Sequence, residues 1–205
     1  MTEVNTVVNR GQFIKNAAKG SLVLAGSGGI LASMDGVAFA SSGLKKSDIA
    51  TLQVGYIAES LAVVVYTAII KNFSSFKGLQ NKDYFVAALQ NEKDHKAAWA
   101  KALGPKNTPK GFKLHIPAAA VKNTKALTST GVALESAFVE TYLGAVKSFS
   151  SIGLKEAAAA VAANEASHFS FFDAANGGHG VLPSFPSTLA ASKAASILTK
   201  DGFIS

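Results

Sequence analysis

The 205-residue chain contains no cysteine. Disulfides, thiolate zinc sites and thiol catalysis are thereby excluded, while the redox compartment stays open. Charge is sparse as well. Only 16% of residues are charged, which makes a weakly charged surface for a cytosolic protein. The net charge of +7 comes from lysines scattered through presumed loops and helix ends. No basic stripe interleaved with aromatics is present, so the composition argues against a nucleic-acid partner and leaves anionic surfaces or substrates open. The five prolines fall in two places: Pro105, Pro109 and Pro117, then Pro183 and Pro186. What is abundant is apolar. At 48% hydrophobic, the chain can bury one sizeable core, so one domain is expected.

Between the proline clusters run Ala-, Val- and Leu-rich stretches of helical periodicity, without the Val and Thr alternation a sheet would need. The punctuation predicts four long helices. The first spans about 46–73, capped by Ser47, and the second about 82–103, capped by Asn81 and closed by Gly104-Pro105. The third spans about 123–149, and the fourth about 154–175, ended by Asn176-Gly177-Gly178. The stretch 104–122, with three prolines, is too long for a tight turn and suits a crossover running the length of a bundle. A short fifth helix is expected over about 187–199, beginning at Ser187.

One pattern occurs twice. Gly55, Glu59, Ser60, Val63 and Tyr66 precede Asn91, Glu92 and His95; Gly131, Glu135, Ser136, Val139 and Tyr142 precede Asn164, Glu165 and His168. Each copy is G-x-x-x-E-S-x-x-V-x-x-Y followed by N-E-x-x-H. Glu and His three apart lie on one helix face and can bind one metal ion together. Glu and Tyr seven apart are nearly superposed, two turns along. Glu59 and Glu135 lie in almost wholly apolar stretches, where a carboxylate is costly to bury unless paired, protonated or metal-bound. A single such Glu is better read as lying on a solvated helix strip; six residues in duplicate order are not. Two lone Glu and two Glu-x-x-His pairs form the set with which carboxylate bundles hold two iron or two manganese ions.

These residues, with the long crossover between the halves, resemble the ferritin-like superfamily over roughly residues 44–204. The tail from Pro183-Ser-Phe-Pro to Gly202-Phe-Ile looks like that of bacterial ferritin-like domain proteins related to desiccation-associated proteins. The resemblance implies an all-α, ferritin-like four-helix bundle with a long crossover and a short C-terminal helix. It also implies Glu59, Glu92, His95, Glu135, Glu165 and His168 as ligands of two Fe or Mn ions. Tyr66 and Tyr142 would lie beside the site as candidate catalytic groups, with O2 or peroxide as reaction partner. Members of the superfamily store iron, oxidise it, dismutate peroxide or activate oxygen, and some lack a metal.

Residues 1–40 read as a separate segment ahead of a bundle domain at 41–205. Arg10-Gly-Gln-Phe-Ile-Lys15 resembles a twin-arginine export motif with Gly11 in place of the second arginine. An apolar run, Ser21 to Met34, and the small-x-small site Ala38-Phe-Ala40 follow. Export to the periplasm, cell surface or exterior is expected. Retained, the same segment would suit homo-oligomeric assembly, and the chain would then be a structural bundle with metal as a staple or absent.

The remaining candidates are blander. Glu140 turns away from Glu135; Lys93 and Asp94 should face outward; His115 and His179 fall in loops and should be solvated. Trp99 and Phe172, each four residues past a motif His, should be core packing above the site. Ala157 to Ala163 reads as small-residue helix packing.

Overall fold

A computed structural model describes residues 43–205. The expectations for residues 1–40, export and assembly alike, lie outside the described residues. Five α-helices make up the described chain: α1 (Lys46–Lys71), α2 (Lys82–Asn107), α3 (Thr124–Ser148), α4 (Ile152–Ala175) and α5 (Ala191–Lys200). Two short 3-10 turns, Phe73–Ser75 and Ala118–Val121, lie in the connections. Strand-like pairing among the described residues is confined to one isolated bridge, Leu114 with Ile204. The all-α expectation holds.

The helix ends show which local signals win. Asn81, in the left-handed region (φ 61°), accepts from Tyr84 N; Asn123 accepts from Ala126 N; Ser151 accepts from Leu154 N. Ser47 is not the expected cap. The chain is already helical at Lys46, and Lys45 precedes it without a side-chain bond. The first turn is fastened instead by buried Asp48, whose carboxylate accepts from Ser150 N at 3.0 Å and from the Ser150 hydroxyl. Gly104 takes φ 68°, ψ 165°, a backbone suited to glycine, and Pro105 then starts one more helical turn to Asn107. The fifth helix starts at Ala191, not at Ser187. Ser187 is engaged by Glu140 Oε1 (2.6 Å), and Leu189 N bonds Glu140 O (2.8 Å). Glu140 thus fastens the tail to α3.

Long-range bonds give the topology. Gln53 near the start of α1 reaches Asn107 O at the end of α2, and Lys125 at the start of α3 reaches Asn176 O past the end of α4. Each consecutive pair is therefore an antiparallel hairpin. Asp48 meets Ser150, and Thr124 meets Lys77 O, so α1 and α3 are also antiparallel. The connection from Thr108 to Asn123 must run the length of α1, about 39 Å for its 26 residues. It is held by main-chain bonds of Lys113 with Ser205 and of His115 N with Phe203 O. α5 lies over α1 and α3. By length and composition α1 could cross a membrane, yet half of its most apolar window is buried in the bundle.

The repeated glycines have a packing purpose. A Cβ on Gly131 would stand 2.3 Å from Phe172 Cδ1, whereas one on Gly55 would meet Trp99 Nε1 and Tyr142 Oη at 3.4 Å. Each glycine lets the aromatic four residues past the motif His of its own half lie against a helix backbone. Phe172 is 1% exposed, so its ring has little freedom to yield. Gly131→Ala should therefore cost about 1–3 kcal/mol of stability, and Gly55→Ala clearly less, in urea unfolding. Equal losses would contradict this packing.

Candidate metal centre

The four long helices carry the duplicated residues to one point. α1 brings Glu59, α2 brings Glu92 and His95, α3 brings Glu135, and α4 brings Glu165 and His168. All six are buried, Glu135 being the most exposed at 3%. The Glu-x-x-His pairs meet across the bundle. His95 Nδ1 lies 3.0 Å from Glu165 Oε1, and His168 Nδ1 lies 2.8 Å from Glu92 Oε1. His95 Nδ1 is also 3.5 Å from Glu59 Oε2.

These atoms are close without being satisfied. Glu59 Oε2, both oxygens of Glu92, both ring nitrogens of His95, Glu135 Oε2 and Glu165 Oε1 are buried and make no hydrogen bond of acceptable alignment. Buried polar atoms without partners are rare and costly. Here they face one another in two groups of ligand atoms, each within 4.8 Å: Glu59, Glu92, His95 and Glu165, then Glu135, Glu165 and His168. Glu165 belongs to both. Oxygen-rich groups with one imidazole each fit Fe or Mn, so the residues present can hold metal.

The tyrosines join opposite halves. Tyr66 of α1 donates to Glu135 Oε1 of α3 at 2.8 Å, and Tyr142 of α3 donates to Glu59 Oε1 of α1. Burial, then the carboxylate each phenol faces, raises both well above the ordinary tyrosine value, so they stay protonated donors. Trp99 stacks on Tyr142, and Phe172 tilts against Tyr66, as expected of core packing above the site. Tyr84 was not anticipated. It stacks on Phe171 at 3.7 Å between ring centroids and lies edge-on to His168. A lone Tyr at the start of α2 bears no sequence mark of this. Asp94, expected outside, is buried and accepts from Gln90 Nε2 (2.9 Å), while Lys93 is exposed as expected. His115 and His179 are exposed, away from the cluster.

Sequence comparison decides the chain's kinship: residues 47–178 match the family described as "Ferritin-like domain". The chain belongs to the ferritin-like domain family. No curated protein matches it. The matched span contains all four long helices of this ferritin-like bundle apart from Lys46, and all six clustered residues.

Electrostatics shows how the site is held when protons alone neutralise it. Burial, then repulsion from Glu165, lifts Glu59 and Glu135 well above the usual carboxylate range. For Glu92, burial acts upward, but His168 and His95 overcome it and hold the group below that range; Glu165 is lowered by the same two imidazoles. Burial acts downward on His95 and His168, and the facing carboxylates overcome it and raise both. Two neutral acids, two carboxylates and two imidazolium ions sum to zero charge. The sign for stability follows. His95 and His168 contribute fully below 6.5, and Glu59 and Glu135 below 4.5, and these contributions are lost as pH climbs through the raised values. Glu92 and Glu165 contribute above 4.5 and lose it only in acid. The metal-stripped protein should therefore melt at progressively lower temperature as pH rises above 6.5 through the raised values of these groups. A melting temperature that climbs over that interval would contradict the assignment.

Proposed function

We propose that Glu59, Glu92, His95, Glu135, Glu165 and His168 hold two Fe or Mn ions, and that the loaded centre reacts with O2 or peroxide, as an oxidase, a ferroxidase or a peroxide-disposing protein. The observation that carries this reading is the convergence of unpartnered, fully buried carboxylate and imidazole atoms from four helices. Held by these residues, such a pair would supply reversible electron exchange. The chain's part is binding and positioning. Glu165 and Glu92 approach both histidines and are placed to be shared, while Glu59 and Glu135 each serve one end. Tyr142 and Tyr66 each donate a hydrogen bond to the outer oxygen of one of these two groups and fix its rotamer. Phe85, Trp99 and Phe172 are buried around them and keep water out.

Access for a small apolar reactant is compatible with the packing. A cavity of about 310 Å³ lies among α1, α3 and α5, with Ala58, Leu134, Phe138 and Leu198 in its wall. Ala58 and Leu134 directly precede Glu59 and Glu135. O2 would partition into such a space without a polar partner.

The test is metal content. Purified protein should carry close to two equivalents by elemental analysis. Glu92→Ala and His168→Ala should each lose at least one, and Glu140→Ala, altered outside the cluster, should keep both. Unchanged content in the first two variants would overturn the proposal.

A further inference from the structure

The two halves of the site are not equal, and the difference lies one shell out. Four residues past the motif histidine stands Trp99 in one half and Phe172 in the other. Trp99 Nε1 donates to Tyr142 Oη at 3.2 Å, and the rings stack at 5.7 Å with 20° between planes. Tyr142 then donates to Glu59. A continuous chain, Trp99 to Tyr142 to Glu59, fixes both the phenol's lone pair and its proton. Phe172 has no N–H to offer Tyr66. Its ring packs on that tyrosine at 5.9 Å and 51°, so the matching chain begins at Tyr66 itself. A phenol that accepts a hydrogen bond donates a stronger one and loses its rotor freedom. Ligands whose orientation is set from outside bind metal more tightly. Independently, four ligand residues converge at the Glu59 end and three at the Glu135 end.

We propose that Trp99 is a positioning residue which, through Tyr142, holds Glu59 ready for a cation, so that the Glu59–His95 end fills before the Glu135–His168 end. The inference rests on the reading of this cluster as a metal centre. The duplicated motif thus encodes two sites of unequal affinity, set apart by one indole N–H and by the number of converging ligand residues. Gly55 lies beside the device, where a Cβ would come to 3.4 Å from both Trp99 Nε1 and Tyr142 Oη.

The experiment is calorimetric titration of the full, metal-stripped chain with Co(II), which occupies Fe and Mn sites of this donor type. The native protein should show two dissociation constants. Trp99→Phe, which copies the other half, should weaken the tighter one by about three- to tenfold, the worth of one hydrogen bond, and leave the weaker one within about twofold. Tyr142→Phe removes a single oxygen and should weaken the same constant; the double variant should lose no more than Tyr142→Phe alone. Because Trp99 is the only tryptophan, its fluorescence should respond chiefly to the first equivalent. If Trp99→Phe fails to fold, Tyr142→Phe carries the test. Equal weakening of both constants, or a fluorescence change spread evenly over both equivalents, would overturn the inference and leave the metal centre standing. Absence of any Co(II) binding would overturn both.

Discussion

Four carboxylates and two imidazoles share the interior of this bundle, and the fold can close over them only if their charges cancel. Everything near the centre serves that constraint. The first-turn caps, the crossover and the tail fix the helices from outside. The residues around the cluster are mostly aromatic, and beyond the site tyrosines and Trp99 they supply few polar contacts. Charge balance is therefore settled within the cluster itself. It can be met by protons, giving two neutral acids and two imidazolium–carboxylate pairs, or by two divalent cations facing four carboxylates. Both arrangements sum to zero. A site that is neutral either way can exchange one set for the other without unfolding, which gives the proposed metal pair a stable scaffold.

The internal duplication does more than supply two copies of each ligand. Each hairpin brings a Glu and a Tyr on its first helix and a Glu-x-x-His on its second, but neither hairpin completes its own site. Tyr66 reaches Glu135, Tyr142 reaches Glu59, and each histidine lies nearest a carboxylate of the opposite hairpin. The centre thus forms only when the hairpins dock, which links site assembly to the bundle's main packing step. The halves then depart from symmetry in their supporting aromatics, Trp99 against Phe172, and in the crowding of their glycines.

The site was legible in the sequence because buried charge has few uses and i, i+3 spacing leaves little choice of geometry. The fold was legible because proline and glycine mark helix ends without reference to tertiary contacts. What escaped depends on partners distant in sequence. Ser47 has the residue type of a cap, yet Asp48 fastens the helix start by reaching Ser150, 102 positions away. The seven-residue spacing of Glu and Tyr suggested stacking along one helix; the hydrogen bonds run between helices instead. Ser187 looked like a helix start and is held by Glu140. In each case a local signal was real and a long-range hydrogen bond outweighed it.

The central claim is that two cations and the cluster's protons are interchangeable occupants of one neutral site. The direct measurement is proton release on metal binding, read by Co(II) titration in buffers of different ionisation enthalpy near pH 6.5. Binding should release protons: His95 and His168, raised above 6.5, must give theirs up to bind metal, and Glu59 and Glu135, raised above 4.5, add to the release. Stoichiometric binding of two ions with little or no proton release would contradict the account.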